Sequence, residues 1–487
     1  MSEVEPVERP VPMTNFEKRF KHPPGLFILF FAEMWERFSY YGMRGLLRLY
    51  MTSFLFVTAR QALQGCSEAD PPCTLIAGDP SAVWLWDFIK GFLPEQTGEQ
   101  ASVLYGIYTG LVYLTPLLGG FLADRFIGQR RSVVVGALLM ATGQFILAFE
   151  NAFFVGLMLL IIGNGFFKPN ISTQVGSLYP EGDPRRDGAF TIFYMGINIG
   201  AFICNFVCGT LAAVYGWKYG FGAAGVGMLL GLTVYLIGQK YLAPDNLMKI
   251  KAAKEAAAAA KAAGEVKVAE KKGLTSDEWK RVAALIGLCA LNVVFWMVYE
   301  QQGNTMQDWA DKKTEWPVVF GWQIPSTWYQ SFNPMIIFML APLLDMFWRH
   351  QAKKGTEPTS VTKMAIGSVL LGLSFILMII GANVIGDGKG SLFWPLACTF
   401  VITVGELYLS PIGLSLVTKV SPVRIVSLMM GMWFLSSFFG NILSGLIGVY
   451  YERWPKELFF TMLMAFGLVT GIVMFIFNRP LKRILKH

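Results

Sequence analysis

The chain has 487 residues, 54% hydrophobic and only 15% charged, with a net charge of +8 and a mean hydropathy of +0.47. That balance excludes an ordinary soluble domain and points to a polytopic membrane protein. In such a chain a basic surplus reports orientation and lipid contact, so no nucleic-acid partner is read from it.

Residues 1–23 are polar and charged, with no basic start leading into a short apolar region and a small-residue cleavage site. No signal peptide is expected. The first apolar run, Phe27 to Phe56, reads as a membrane helix, yet it carries Glu33, Glu36, Arg37, Arg44 and Arg48. At about 100° per residue, these charges together with Tyr40 and Tyr41 fall within an arc of roughly 140°. Trp35, Phe38, Gly42 and Met43 occupy the other side. One uncompensated charge at mid-bilayer costs about 2.5–3.5 kcal/mol on insertion scales, so a row of them marks a functional face.

The segment 57–100 reads as the longest outer loop. It holds Cys66 and Cys73, for which a disulfide is expected if that side is oxidising. Cys204, Cys208, Cys289 and Cys398 lie in apolar runs and read as small core residues. The histidines, His22, His350 and His487, sit at span ends or tails. No metal site is expected, and no histidine within the membrane can act as ligand, base or relay.

Further membrane-length runs follow near 101–123, 132–150, 152–179, 188–214 and 217–239, then near 279–303, 328–348, 362–384, 391–418, 425–449 and 458–478. The expected fold is an all-α integral membrane protein of about twelve transmembrane helices in two six-helix bundles. The expected division is an N-terminal tail (1–23), a first bundle (24–239), an Ala/Lys/Glu-rich linker (240–276), a second bundle (277–478) and a C-terminal tail (479–487). Lys and Arg cluster on the side of the tails and linker. The other side holds only Arg60, Lys90, Lys218, Lys312, Lys313, Lys389, Arg453 and Lys456. By this bias both termini are cytoplasmic.

Beyond the first helix, deep charges are few: Lys168 in the fourth run, Glu300 late in the seventh and Glu406 in the tenth. The charged helices are thus the first, fourth, seventh and tenth, the leading members of four successive triplets. In two halves built from three-helix repeats, such helices can line one central cavity. The charges are of both signs and can balance. The loop GGFLADRFIGQRR (119–131) has the form of the loop motif of the major facilitator superfamily. In that motif the glycines permit close helix approach, and Asp124 with Arg125, Arg130 and Arg131 makes a cytoplasmic gate cluster.

Several stretches carry a closer resemblance. Glu33-x-x-Glu36-Arg37-Phe38-x-Tyr40-Tyr41, FYMGINIGAF (193–202), GFFKPNISTQVGSLY (165–179), FWMVYEQQGNT (295–305) and GELYLSPIGLSL (405–416) resemble segments of the proton-coupled oligopeptide transporters, and the likeness covers nearly the whole chain. The resemblance implies a symporter importing di- and tripeptides with protons by alternating access in a cell membrane. It is not an enzyme, uses no cofactor beyond the proton gradient, and has no obligate protein partner. Carriage of nitrate or another small organic solute is the alternative. By the same resemblance Glu33, Glu36, Arg37 and Glu300 serve proton coupling. Arg37, Arg44 and Lys168 offer positive charge to the peptide C-terminus, and Glu406 with Asn198 and Asn333 receives its N-terminus. Tyr40, Tyr41, Tyr113, Trp296, Trp433 and Ser437 line side-chain pockets. Arg44 with Glu300, and Lys168 with Glu406, are the gating pairs, and Glu300 also faces the peptide. The chain departs from the family in places. Gly106 stands where animal members carry a histidine in helix 2, and the polar linker lacks the two extra helices of many bacterial members.

Overall fold

The computed structural model describes residues 19–56, 94, 96–149, 152–180, 183, 185–244, 274–422 and 425–485. Its long helices, in order, are α1 (Pro24–Tyr50), α2 (Thr97–Leu122), α3 (Gln129–Ile146), α4 (Phe153–Ser177), α5 (Arg185–Cys204), α6 (Trp217–Gly238), α7 (Ser276–Tyr299), α8 (Phe332–Lys353), α9 (Ser360–Ile385), α10 (Phe393–Val420), α11 (Val426–Arg453) and α12 (Lys456–Leu485). Each apolar run of the sequence coincides with one of them. Among the described residues, 10 helical stretches are long and apolar enough to cross a membrane, and these fall on α2 and α4 through α12. The charged row keeps α1 out of that set, and the polar start Gln129-Arg130-Arg131 keeps out α3.

Local chemistry explains several boundaries. A capping box starts α7: Thr275 accepts from the Glu278 N–H, and Glu278 accepts from the Thr275 N–H. Single π-turns extend α1 (Met51–Leu55), α2 (Ala123–Ile127) and α5 (Asn205–Gly209). Such turns widen the backbone ladder and recur at functional sites. Pro169 and Pro411 lie inside α4 and α10, the helices that carry Lys168 and Glu406. Membrane helices tolerate such prolines because neighbouring groups satisfy the freed carbonyls.

The largest departures from expectation follow α7. The chain continues through a short helix (Thr305–Lys312) and strand β1 (Thr314–Glu315). It then forms a hairpin of β2 (Val318–Val319) and β3 (Trp322–Gln323), and a 3-10 turn (Ser326–Ser331) leads into α8, which begins later than the apolar run suggests. The hairpin turns on Phe320 and Gly321, both at positive φ (50° and 79°), as a two-residue turn between twisted strands requires. β1 pairs in parallel with β4 (Gly390–Ser391).

The buried apolar residues form two clusters, one spanning Leu26 to Leu242 and the other Val282 to Met474. Each half therefore has its own core. The halves meet along α2 with α11 and along α5 with α8. We call the end where α1 begins and α12 finishes the termini end, and the opposite end the far end. The α2–α11 contact loosens from one to the other. A Cβ on Gly106 would lie 2.6 Å from the Gly445 Cα, one on Gly110 3.0 Å from Ile442, and one on Gly431 3.7 Å from Leu117. The two helices splay apart toward the termini end.

At the 119–131 loop, the close approach expected from the glycines occurs at Gly119, where a Cβ would fall 2.0 Å from the Gly165 carbonyl oxygen of α4. Asp124 is exposed, and Arg130 donates to the Leu242 and Ala243 carbonyls just after α6, within its own half. Cys66, Cys73 and most of the linker lie outside the described residues. The expected C-terminal tail is largely helical, since α12 runs on to Leu485.

Candidate functional site

The charged face of α1 is buried, and each charge finds a different kind of partner. Arg37 Nε lies 3.1 Å from Glu33 Oε1, one turn away, and also bonds Glu36. Its guanidinium sits 5.2 Å from the Tyr40 ring centroid and 6.0 Å from that of Tyr41. This cluster is local to α1 and is 3% exposed or less at each of its three charges. Glu33 Oε2, Glu36 Oε1 and Arg37 Nη2 have no partner among the described residues, so the carboxylates retain capacity to accept.

One turn further on, α1 reaches across to the other half. Arg44 pairs with Glu300, in the turn that follows α7, and its Nε donates to the Tyr105 hydroxyl of α2 at 2.7 Å. Glycines allow these close approaches: a Cβ on Gly45 of α1 would collide with Asn205 of the α5 π-turn, and one on Gly303, just past Glu300, with Tyr105 Oη of α2. Arg44 and Glu300, expected as an inter-half pair, are brought together.

Lys168 and Glu406 are not. Lys168 Nζ rests 5.1 Å from the Tyr113 ring centroid, within its own half. Glu406 accepts from Asn333 Nδ2 at 3.0 Å, and Asn333 also donates to Thr403 Oγ1 at 3.0 Å. Among the described residues no ion pair joins Lys168 to Glu406, and each is held by a partner of its own half. The association of Asn333 with Glu406, expected from the sequence, is present. Asn198 donates to the Tyr194 carbonyl one turn back at 3.0 Å, a bond within α5 rather than between helices.

Between the halves lies a cavity lined by Tyr41, Arg44, Tyr113, Asn198, Trp296, Glu300, Asn333 and Glu406. Its remaining walls include Tyr194, Ile197, Tyr299, Gln302, Gln330 and Ile337, which the sequence reading did not single out. Tyr299 lies three residues past Trp296, their rings 5.1 Å apart, and Tyr194 lies four residues before Asn198, so helical spacing from the recognised residues was the available signal. Arg37, Tyr40, Lys168, Trp433 and Ser437 are not in that lining. Arg37 and Tyr40 lie behind it in the α1 cluster. Trp433 is 4% exposed and its ring presses on Gly413 of α10, which is interior packing. Ser437 is likewise buried, on α11.

A further polar network at the far end was not expected. Arg48, fully buried, donates to Asn304 Oδ1 and approaches Glu452 Oε1 at 3.2 Å and Asp308 Oδ1 at 3.7 Å. Asn304 Nδ2 donates to Ser102 Oγ at 2.7 Å, which in turn donates to the Gly445 carbonyl at 3.0 Å. Arg453 binds Glu99 through two bonds of 2.7 Å. Every hydrogen bond and ion pair between the halves, among the described residues, lies toward this end.

A helical membrane bundle in two halves, tied at one end and enclosing an aromatic cavity with charges of both signs, has the build of a multi-pass membrane transporter. The family model described as the POT family matches residues 130–249 and 243–462, and the chain belongs to that family. It is 31% identical to the uncharacterized transporter YclF of Bacillus subtilis (strain 168), over 99% of this chain and 98% of that one. It is also 31% identical to the peptide transporter YePEPT of Yersinia enterocolitica, over 96% of each, and 30% identical to a di-/tripeptide transporter of Lactococcus lactis subsp. cremoris, over 96% and 97%. Among solved structures it resembles a mutant of a peptide transporter POT in complex with alafosfalin (TM-score 0.78, 32% identity, 98% of each chain). A POT family transporter in complex with a thioalcohol-conjugated peptide is also similar (TM-score 0.76, 28% identity, 96% and 98%).

Proposed function

We propose that this protein imports di- and tripeptides together with protons by alternating access. The observation that carries this reading is the cavity between the halves, with Arg44 toward one side and Glu406, held by Asn333, on the other. A zwitterionic peptide needs an anion for its amine and a cation for its carboxylate about one peptide length apart, and the aromatic walls accept varied side chains. The likeness to named peptide and di-/tripeptide transporters supports the same substrate class.

In this reading α1 and α3 cross the membrane with the other ten, giving twelve spans in two six-helix bundles (24–239 and 277–478) joined by the 240–276 linker. The bias of Lys and Arg supports cytoplasmic termini, which makes the far end the outer one. The conformation is then closed to the outside. Glu33, Glu36 and Arg37 couple protons, with Glu300 released from Arg44 when it takes one. Arg37, Arg44 and Lys168 attract the peptide carboxylate, and Glu406, Asn333 and Asn198 the amine. Lys168 and Glu406 pair when the termini end closes. The proton gradient supplies the energy without a cofactor, and the bilayer is the only partner the reading needs besides peptide and proton.

Uptake of a labelled dipeptide into proteoliposomes tests it. Accumulation is expected under an inward-acid pH gradient and collapses when the gradient is dissipated. Glu33→Gln and Glu36→Gln keep the side-chain shape and remove the titration. They are expected to lose accumulation while retaining part of the counterflow exchange. Normal accumulation by both variants would move the coupling site elsewhere, with Glu300 next.

A further inference from the structure

The seam between the halves does not close flush at the far end. It forms the floor of a hollow of about 730 Å³, with Gly209 and Trp217 of the N-terminal half facing Asp311, Trp316 and Trp322 of the C-terminal half, and Lys389 at the rim. That volume lies in the range of small-molecule sites.

The walls are held in place. Trp316 Nε1 donates to the Ala310 carbonyl at 2.6 Å, and Asp311 Oδ1 accepts from Ser326 Oγ at 2.5 Å. The floor is inter-half contact. Trp328 Nε1 donates to Thr210 Oγ1 at 3.1 Å, and Gly209 lies so close to Thr327 that a Cβ would fall 2.1 Å from its hydroxyl. Opening the far end would pull this floor apart and split the hollow between the halves.

The chemistry of the hollow is that of a zwitterion site. Indole faces attract an ammonium group or an apolar side chain. The Asp311 carboxylate adds an anion for the ammonium, and Lys389 a cation for a carboxylate. We propose that this hollow is a second, outer-face site for short zwitterionic peptides, and that its occupancy holds the far end shut. The proposal rests on the peptide-import reading and its orientation. A ligand that touches both halves binds the closed form better than the open one, and can shift the population only toward the closed form. Loading the central cavity from outside requires the far end to open. External peptide at high concentration therefore slows its own uptake.

The test is the initial rate of dialanine uptake by the full chain in proteoliposomes, followed to high external concentration. For the unaltered protein the rate rises and then falls by about twofold or more as the closed form accumulates. Trp322→Ala and Asp311→Asn rise to a plateau with the same initial slope. Lys389→Ala, on an exposed rim where folding is not at stake, raises the concentration at which the fall begins. A plain plateau in the unaltered protein, or a fall that persists in all three variants, overturns the proposal. A second arm does not depend on transport: quenching of tryptophan fluorescence by dialanine in Glu406→Ala protein, whose central site is disabled. Saturable quenching that Asp311→Asn removes supports the outer site, and no saturable quenching overturns it. If the unaltered protein takes up no dipeptide but the quenching stands, the import reading fails and the outer site does not.

Discussion

The two ends of this molecule are built from the same helices and hold their halves in opposite ways. At the far end α1 sends Arg44 and Arg48 into the other half, where Glu300, Asn304, Asp308 and Glu452 receive them, and α2 and α11 touch backbone to backbone at Gly106 and Gly445. At the termini end Lys168 and Glu406 turn back to Tyr113 and Asn333 of their own halves, and Leu118 and Phe121 on α2 and Leu428 on α11 stand exposed. The difference separates two uses of a buried charge. A paired charge at the seam is a tie, costly to break because each partner would be left desolvated. A charge with no ion-pair partner across the seam remains free to meet a ligand. On the proposed alternating-access reading, both kinds are needed, and they would exchange roles when the molecule turns over.

The contrast breaks most easily at Arg48. Arg48→Ala strands three polar partners in a buried seam, and removing one member of such a set costs about 3–5 kcal/mol. Purified Arg48→Ala is expected to melt many degrees below the unaltered protein, and a cysteine at Ser102 should become open to a membrane-impermeant thiol reagent from the far side. Lys168→Ala and Glu406→Ala are expected to abolish peptide uptake, yet to shift the melting temperature little, since neither makes an inter-half pair in this conformation. Equal melting losses for Arg48→Ala and Lys168→Ala would erase the distinction between tie and free charge.

The sequence shows one of these ends better than the other. The helices are legible because apolar runs of membrane length have few other fates, and the charged face of α1 because one helical turn fixes which residues share an arc. Arg48 lies on that arc, one turn past Arg44, but its partners were hidden. Asn304 and Asp308 follow α7 in what reads as the start of an outer loop, and Glu452 closes α11. Hundreds of residues separate them from Arg48, and only tertiary packing joins them. The hairpin at Phe320 and Gly321 escaped because its turn lacks the Asn-Gly or Asp-Gly signal that positive φ usually brings. The pairing of Lys168 with Glu406 was expected from the family resemblance, whereas in this conformation Lys168 rests on Tyr113 and Glu406 accepts from Asn333. A contact that would form only in another conformation cannot be read from one set of neighbours.

A smaller effect sharpens the same comparison along one pair of helices. Gly106→Ala drives a Cβ into the Gly445 backbone, which cannot give as a flexible side chain can. An overpacked contact of this kind costs about 1–3 kcal/mol. Gly431→Ala, nearer the termini end, meets only the tip of Leu117 at ordinary contact distance and is expected to melt within about 2 °C of the unaltered protein. Gly106→Ala should also slow uptake by holding the far end ajar. Should the two variants melt alike, the splay between α2 and α11 does not describe the protein in its membrane.

The smallest effect is expected at His22, where the termini end has a contact that stays within one half. Its Nδ1 lies 2.8 Å from the Tyr179 hydroxyl, beyond the end of α4. Arg185 stands over the same tyrosine ring at 5.8 Å and binds Asp183 at 2.7 Å. Burial, and then the Arg185 cation, hold the His22 pKa below its ordinary value, with Asp183 opposing them. The sign follows from linkage. An unfolded chain takes up the proton near pH 6.5, while the folded one resists until lower pH. Stability is therefore unaffected above that range, declines as pH falls through about 6.5, and the loss is complete below the folded pKa. His22→Gln removes the titration. Between pH 7 and pH 5 the unaltered protein should lose slightly more melting temperature than the variant, by no more than about 2 °C. Uptake by His22→Gln should match the unaltered protein, because the contact ties the start of α1 to the end of α4 and never bridges the halves. A large transport defect in this variant would place a working joint at the termini end, where no hydrogen bond or ion pair among the described residues bridges the halves.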